Sequence, residues 1–236
     1  MRAVGHAVAL TLDAMRDAVR PGVTTKELDE VAERELRAVG ARSAPSLVYA
    51  FPGWTCISVN DEAVHGIPGD RVLLPGDLVT LDVTAELGGY MADAAITVPV
   101  AHVDEQSARL CSCAADALER GMDAAQPGNP VSAIGRAVEA EVERQGFRVL
   151  RELTGHGIGR TIHEPPTVHN HEAPGQTGVL DEGTVITIEP IISTTTRSAR
   201  MLADGWTVAT SDGSRSAHAE HTIVVCQDGP LVLTAA

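Results

Sequence analysis

The chain has 236 residues, 44% of them hydrophobic, which is enough to build one large domain with a buried core. The formal net charge of −14 argues against a general nucleic-acid binder, because such proteins present a basic surface to the phosphate backbone. No segment approaches the roughly 18 uninterrupted apolar residues of a membrane span, and His6 and Asp13 interrupt the mildly apolar start, so we expect neither membrane association nor a signal peptide. The four cysteines form no Cys-x-x-Cys pair, which favours reduced thiols and a cytoplasmic protein.

Two amphipathic helices are predicted at the start of the chain. Residues 3–19 alternate apolar and polar positions at helical spacing, and the Pro-Gly pair at 21–22 ends this helix. Thr24 and Glu27 have the spacing of a capping box, which marks the start of the second helix. A loop rich in Ser and Pro then leads to a predicted strand at residues 55–60.

A β-hairpin is predicted next, because two β-rich runs flank the turn signal Gly88-Gly89. We centre the turn between Leu87 and Gly88, so that Asp82 and Asp93 face each other with their Cβ atoms about 4.5–5.5 Å apart. Two carboxylates so placed repel each other unless one keeps its proton or divalent cations bind between them. The alternative is a looser turn that leaves both aspartates at a solvated end of the sheet.

The second half of the chain begins like the first. A helix is predicted at residues 105–122, and Asn129 can cap the next helix with Pro130 at its first position. Apolar residues then recur on one face until Gly146 ends the helix.

The two halves also align with each other. The Pro-Gly pairs at 21–22 and 127–128 coincide, and with a shift of one residue the run 76–82 lies over 183–189, with an acidic residue at the end of both. Chance similarity of two capped amphipathic helices can explain the first match, but it explains the second match less well.

This repetition predicts the architecture. We expect an α+β fold in a single domain, residues 1–236, made of two pseudo-symmetric helix–helix–sheet repeats at about 1–103 and 104–236 around a central antiparallel sheet. A site at the pseudo-twofold centre is the natural consequence of such a duplication.

Three further residues in the second half are candidate metal ligands. His156 lies between glycines, which allow close approach of the backbone, while Glu189 and Glu220 lie at the ends of β-rich runs. Each alone has an ordinary explanation as a turn residue or a solvated strand end. Together with Asp82 and Asp93 they provide four carboxylates and one imidazole, a set that suits a pair of divalent ions such as Mn, Fe(II) or Co(II).

Six segments in the chain resemble the motifs of a known family. They occur in the family's order, span nearly the whole chain and are highly specific as a set: Cys56-Ile-Ser-Val-Asn-Asp-Glu-Ala-Val-His-Gly-Ile-Pro68, Leu81-Asp-Val-Thr84, Gly155-His-Gly-Ile-Gly-Arg160, Ile188-Glu-Pro190, Asp204-Gly-Trp-Thr-Val208 and Glu220-His-Thr-Ile-Val224. On these motifs the chain resembles the type I methionine aminopeptidases of the pita-bread fold. The resemblance implies removal of the initiator methionine from nascent chains with a small second residue.

The resemblance also implies roles for individual residues. The implied ligands of a two-metal site are the same five residues: Asp82, Asp93, His156, Glu189 and Glu220. His65 is implied near the scissile nitrogen, and His163 at the substrate carbonyl. Glu189 is the candidate proton shuttle. The residues implied to line the methionine pocket are Phe51, Cys56 and Trp206.

The chain departs from the family pattern around the substrate pocket rather than at the ligands. The departures are Val48 and Ile162, where the family has aromatic residues, Val64, where it has cysteine, and Ala92 and Ala94 beside the second aspartate. We therefore expect the metal chemistry to be retained and the shape of the methionine pocket to be altered.

Two other functions remain compatible with these motifs. A related Xaa-Pro peptidase, such as an aminopeptidase P or a prolidase, has similar ligands but normally carries an additional N-terminal domain. A non-catalytic pita-bread protein that binds peptides is the alternative from a different class, and the loss of metal ligands would mark it. As partners we expect the N-termini of nascent chains or peptides, no nucleic acid, no membrane and a monomeric protein. The sequence leaves ribosome docking open.

Overall fold

The computed structural model describes residues 1–173 and 175–235, and within these ranges helices alternate with short strands. The helices are α1 (Arg2–Ala18), α2 (Thr25–Ala38), α3 (Ala44–Tyr49), α4 (Glu105–Ala124) and α5 (Ser132–Arg144). The strands are β1 (Arg42–Ser43), β2 (Cys56–Val59), β3 (Glu62–Val64), β4 (Leu78–Leu87), β5 (Tyr90–Pro99), β6 (Arg148–Val149), β7 (Thr154–Gly157), β8 (Glu164–His169), β9 (Val185–Ile188), β10 (Ile191–Ser193), β11 (Ala199–Met201), β12 (Val208–Thr210), β13 (Ser216–His218), β14 (Glu220–Val224) and β15 (Leu231–Val232).

The first helix pair forms as its sequence predicts. Helix α2 begins with a complete capping box, in which the Thr24 side chain accepts a hydrogen bond from the Glu27 backbone and the Glu27 carboxylate accepts one from the Thr24 backbone. Leu28, Ala32 and Leu36 form the fully buried face of this helix. The capping box predicted from the sequence is confirmed.

The second helix pair begins differently from the prediction. Asp104 caps α4 by accepting a hydrogen bond from the Ser107 backbone, but α5 starts at Ser132 without a side-chain cap. The predicted cap at Asn129 is wrong, because its side chain instead donates to the Ala124 carbonyl at 3.0 Å, at the C-terminus of α4. Pro130 lies before the helix and forms an isolated β-bridge with Val179.

A nine-stranded sheet forms the centre of the molecule. Its main path runs β1-β4-β5-β14-β9-β7-β8, with β2 added to β4 and β15 added to β14, and the paired strands are antiparallel. Two three-stranded sheets, β13-β10-β6 and β11-β12-β3, flank it. The predicted α+β class with a central antiparallel sheet is confirmed.

The β4–β5 hairpin forms, but its register differs from the prediction. The turn is centred between the two residues of Gly88-Gly89, which both have the positive φ that a tight two-residue hairpin turn requires. Asp82 therefore faces Ala95, and Asp93 faces Thr84. The two aspartates are diagonal neighbours on one face of the sheet, because residues two apart on a strand point to the same side.

Each helix pair covers its own part of the sheet with a separate hydrophobic cluster. The cluster under α1 and α2 contains Leu81, Ala92 and Ala94, whereas the cluster under α4 and α5 contains Ile186 and Ile188. Ala92 and Ala94 are thus core residues on the helix-covered face, opposite to Asp93. Among the described residues, no helix combines the length and apolar character needed to cross a lipid bilayer.

Candidate metal centre and active-site cavity

One cavity of about 280 Å³ brings together every site residue predicted from the sequence. Its lining includes Phe51, Cys56, His65, Asp82, Asp93, His156, His163, Glu189, Trp206 and Glu220. These residues come from both halves of the chain, so the folded structure rather than any single motif creates the cavity. Of the five departures from the family pattern, Val64 and Ile162 line it, and Ala92 and Ala94 belong to the core.

The five predicted metal ligands come from five neighbouring strands. In spatial order across the sheet, β4, β5, β14, β9 and β7 contribute Asp82, Asp93, Glu220, Glu189 and His156, with Glu189 directly after the end of β9. Adjacent strands lie about 4.8 Å apart, so one inward-facing side chain from each strand gives a compact row. This arrangement explains how residues spread over more than half of the chain meet at one site.

Four of the five predicted ligands, all except Asp82, belong to groups of three whose atoms are close enough to share a metal ion. One atom each from Asp93, His156 and Glu220 lies within 4.8 Å of the other two, and all three side chains are buried. His156 Nε2 is 3.9 Å from Glu189 Oε2. Glu189 and Glu220 also form a second such group, in which the third member is His218.

Threonine hydroxyls orient the backbone that carries the ligands. Thr222 Oγ1 accepts a hydrogen bond from the Asp93 N–H at 2.9 Å and donates one to the Asp93 carbonyl at 2.7 Å. Thr187 Oγ1 accepts from the His156 N–H at 3.0 Å and donates to Glu189 Oε2 at 3.4 Å. These contacts lie directly behind the ligands, where supporting hydrogen bonds are known to influence metal affinity.

The tautomer of His156 follows from its hydrogen bond. Its Nδ1 lies 2.9 Å from the Gly157 carbonyl, which can only accept, so Nδ1 carries the proton. Nε2 is then left with a free lone pair directed away from that bond. Burial also lowers the pKa of His156, which keeps the imidazole neutral and able to bind a metal ion.

The buried carboxylates need either a proton or a cation to neutralise them. Burial, followed by repulsion from neighbouring acidic groups, raises the pKa of Asp82 and of Glu220 well above their usual values, and burial raises the pKa of Glu189 to about 8. Asp93 Oδ1 and Glu220 Oε1 are buried without a hydrogen-bond partner among the described residues. Unpartnered carboxylate oxygens beside an imidazole lone pair are a donor set that divalent cations bind, so the residues present fit such ions.

The second polar group of the cavity contains the predicted substrate-binding histidines. The ring of His163 lies 4.3 Å from that of His156, and its Nδ1 is 2.7 Å from the hydroxyl of Tyr49. His65 has a left-handed backbone with φ of 59°, uncommon for a residue with a side chain and typical of functional sites. His65 and His163 both line the cavity beside the carboxylates.

Part of the cavity lining is apolar. Phe51 and Trp206 make an edge-to-face contact with ring centroids 5.2 Å apart, and Cys56, 6% exposed, belongs to the same lining. Burial and the nearby aspartates raise the pKa of the Cys56 thiol well above its usual value, so the residue remains an uncharged apolar wall. The strand register places Cys56 directly opposite Asp82.

Two cavity residues were missed by the sequence analysis. The motif comparison places the loop aromatic at the position of Val48, but the neighbouring Tyr49 is the side chain of this segment that reaches the cavity. His218 was not considered, although it lies two residues before Glu220 and strand alternation puts both on one side. A test of every residue at spacing two from a predicted ligand would have found it.

These observations define a class of protein: a metal-dependent peptidase with the pita-bread architecture. The chain belongs to the Metallopeptidase family M24, whose profile matches residues 1–227. It is 44% identical over 236 residues to methionine aminopeptidase 2 of Bacillus subtilis (strain 168), an alignment that covers 99% of this chain and 95% of that protein. It is 41% identical over 234 residues to methionine aminopeptidase 1 of the same organism, covering 99% and 94%.

Solved structures agree with the sequence comparison. The crystal structure of the methionine aminopeptidase from Thermotoga maritima superposes with a TM-score of 0.97 at 35% identity, covering 100% of this chain and 95% of that one. The prolidase from Pyrococcus furiosus shares the fold alone, with a TM-score of 0.78, 22% identity and coverage of 100% and 62%. The comparisons confirm three predictions: the resemblance to methionine aminopeptidases, the pita-bread fold and the aminopeptidase class of hydrolase.

Proposed function

We propose that this enzyme removes the N-terminal methionine from nascent proteins and peptides whose second residue is small. The single observation that carries the proposal is one cavity whose lining combines two kinds of chemistry. Carboxylates and imidazoles line it together with the apolar residues Phe51, Cys56 and Trp206. Apolar lining of this kind accepts an unbranched thioether side chain, and the polar groups of the same cavity suit the peptide bond that follows it.

Two divalent metal ions, Co, Mn or Fe(II), are proposed to bind the five ligands Asp82, Asp93, His156, Glu189 and Glu220. The support is the row of five adjacent strands, the free lone pair of His156 and the unpartnered oxygens of Asp93 and Glu220. When bound, such ions supply Lewis acidity for a carbonyl and an activated water for hydrolysis. Oxygen-rich sites with nitrogen ligands suit these borderline ions.

Protein groups then handle the proton and the substrate. Glu189 is proposed to accept a proton from the attacking water and pass it to the leaving amine, a role that requires a carboxylate at the reacting atoms. His163 is proposed to donate a hydrogen bond to the carbonyl of the first residue. The Tyr49 hydroxyl supports this role, because donation to Nδ1 leaves the proton of His163 on Nε2. His65 is proposed to lie beside the scissile nitrogen.

Specificity for a chain start follows from the same arrangement. A free, positively charged α-amino group is compatible with the carboxylates of the cavity, whereas an internal peptide has an uncharged amide at this nitrogen and would have to continue from it into the carboxylate cluster. Val64 and Ile162 replace larger or more polar family residues in the lining, so we propose a methionine pocket with altered shape. This change concerns the fit of the first side chain and leaves the metal ligands untouched.

We further propose that the chain is one domain of two repeats, residues 1–103 and 104–236. The order of elements supports this, since a helix pair precedes the main sheet strands in both halves and each pair has its own hydrophobic cluster. We propose that the enzyme acts in the cytoplasm as a monomer on emerging N-termini. Its four described cysteines are all free, consistent with a reducing compartment.

The test is metal-dependent release of the first residue from Met-Ala-Ser and Met-Arg-Ser peptides, each with Mn, Co and Fe(II). We expect release of methionine from Met-Ala-Ser, much slower release from Met-Arg-Ser, and no release by Asp93→Ala. Asp228→Ala is the matched control, because this aspartate is exposed and lies outside the cavity. No release from Met-Ala-Ser with any of the three metals would contradict the proposal.

The same assay separates the two alternative functions. Cleavage of an Ala-Pro peptide in preference to Met-Ala-Ser would move the enzyme to the Xaa-Pro peptidases. Binding of these peptides without cleavage, in protein shown to contain metal, would indicate a peptide-binding protein. Because all five candidate ligands are present, a catalytic protein is favoured over a non-catalytic peptide-binding protein.

A further inference from the structure

His218 is a buried histidine whose side chain has no conventional partner. It is 2% exposed, and neither Nδ1 nor Nε2 makes a hydrogen bond within residues 1–173 and 175–235. Buried polar groups are hydrogen-bonded in the great majority of cases, and each exception calls for an explanation. A histidine that served only as a packing residue would be expected to satisfy at least one ring nitrogen.

The backbone fixes the direction of this side chain. Thr97 Oγ1 accepts a hydrogen bond from the His218 N–H at 2.8 Å and donates one to the His218 carbonyl at 3.0 Å. His218 ends β13, and Glu220 begins β14 two residues later, so both side chains project to the same side. His218 consequently lines the cavity together with Glu189 and Glu220.

The distances place His218 within reach of the proposed metal centre. Its Nε2 lies 3.6 Å from Glu220 Oε2, too long for a hydrogen bond. Two ligands that bind one ion at about 2.1 Å are at most about 4.2 Å apart, and this pair lies within that limit. One atom each from His218, Glu189 and Glu220 also lies within 4.8 Å of the other two.

We propose that His218 is a sixth protein ligand of the metal centre, binding through Nε2 an ion shared with Glu189 and Glu220. This inference rests on the proposed two-metal site. It changes the composition of that site from one imidazole, that of His156, to two. A metal ion bound at Nε2 would give this buried ring nitrogen the partner that the described residues do not supply.

A second imidazole alters which metals the site prefers. Nitrogen ligands favour Co(II), Fe(II) and Zn(II) over Mn(II), whose preferred ligands are carboxylates and water. We therefore expect the protein to bind Co(II) far more tightly than Mn(II), and we expect removal of His218 to reduce that difference.

The test is metal binding by the full-length protein, measured by isothermal titration calorimetry with Co(II) and with Mn(II) in the absence of substrate. In His218→Gln the Kd for Co(II) at one of the two sites should rise by about 10–100-fold. Loss of a residue that merely hydrogen-bonds to a metal ligand already weakens metal binding by this factor, so loss of a ligand should do so at least as strongly. The Kd for Mn(II) should change less. His221→Gln is the matched control, since His221 follows Glu220 on β14, points to the opposite face outside the cavity lining, and has its Nδ1 2.9 Å from Thr234 Oγ1.

A second measurement needs no substitution. The proton NMR spectrum of the Co(II)-loaded wild-type protein should contain two strongly shifted, exchangeable imidazole N–H signals, one from His156 and one from His218. A single signal would overturn the proposal, and so would an unchanged Co(II) affinity in folded His218→Gln. An equal loss of affinity in His221→Gln would mean that the effect is not specific, which would also overturn it. Failure of the wild-type protein to bind Co(II) at all would instead contradict the proposed metal centre.

Discussion

Removal of metal should make the stability of this protein decrease as the pH rises above neutrality. Glu189 is the group that allows a quantitative expectation, because burial raises its pKa from 4.5 to about 8. Without a cation, the folded protein keeps a proton on this carboxyl over a pH range in which the unfolded chain has already released it. Replacement of Glu189 by glutamine removes the titrating group and keeps the size and hydrogen-bonding capacity of the side chain.

The sign of the effect follows from proton linkage. Between about pH 4.5 and about pH 8 the folded state binds more protons than the unfolded state, so the free energy of unfolding falls as pH rises. Each pKa unit corresponds to 1.36 kcal/mol, and the full shift of Glu189 therefore amounts to about 5 kcal/mol. Between about pH 7 and pH 8 the free energy of unfolding should fall by roughly 1 kcal/mol. The fall becomes less steep towards pH 8 because Glu189 then begins to ionise in the folded state as well.

The histidines act in the opposite direction, and the control removes their contribution. Burial lowers the pKa of His156, so its contribution to stability increases as the pH rises through about 6.5. Because His156 is present in both proteins, its contribution cancels in the difference between wild type and Glu189→Gln, which then reports the carboxyl together with its effect on the neighbouring acidic groups. Urea denaturation of the two metal-free proteins at pH 7, 7.5 and 8 gives this difference. If the free energy of unfolding changed equally with pH in the two proteins, the reasoning would be refuted. Addition of Co(II) to the wild type should abolish its loss of stability at higher pH, because metal binding requires the ionised carboxylate.

Three further predictions concern the cavity walls and ligands. Tyr49→Phe removes the hydroxyl beside His163 and should lower kcat/KM about 2–10-fold, the effect of losing one partly exposed hydrogen bond. The control is Tyr90→Phe at the chain's other tyrosine, which should leave kcat/KM unchanged. An equal loss of kcat/KM in both variants would contradict the role of Tyr49. Asp93→Ala should reduce the bound metal measured by mass spectrometry, and a full metal content would argue against ligation. Phe51→Ala should raise KM for Met-Ala-Ser and lower the free energy of unfolding by about 3 kcal/mol, because this ring is buried; an unchanged KM would place the first side chain elsewhere.

The positions of the five candidate ligands could be predicted because each has a local signal. Asp82 and Glu189 are the last residues of two aligned sequence runs, 76–82 and 183–189. His156 lies between two glycines at which any added Cβ would collide with neighbouring backbone. At Gly155 an added Cβ would come within 2.6 Å of the Thr187 carbonyl oxygen, so the strand carrying His156 can approach β9 only with glycine there. A requirement for close backbone approach is therefore visible in the sequence as a glycine.

The register of the hairpin could not be predicted in the same way. A shift of the turn centre by one residue changes the partner of Asp82 from Asp93 to Ala95, yet both alternatives use Gly88-Gly89. The choice depends on both glycines adopting positive φ, which the sequence permits but does not require. The orientation of Tyr49 rather than Val48 towards the cavity is similar, because it depends on where the short helix α3 begins.

The pairing of β2 with β4 connects specificity to catalysis. It places Cys56 of the proposed methionine pocket directly opposite Asp82, so apolar and carboxylate residues of the cavity lining are neighbours on paired strands. On the other side of β4, Asp93 lies diagonal to Asp82, where Thr84 faces it across the hairpin. A first residue whose side chain lies against Cys56 therefore has its amino group and carbonyl beside the aspartates. Because strand pairing fixes the distance between Cys56 and Asp82, we expect the proposed change of pocket shape at Val64 and Ile162 to leave the candidate ligands in place.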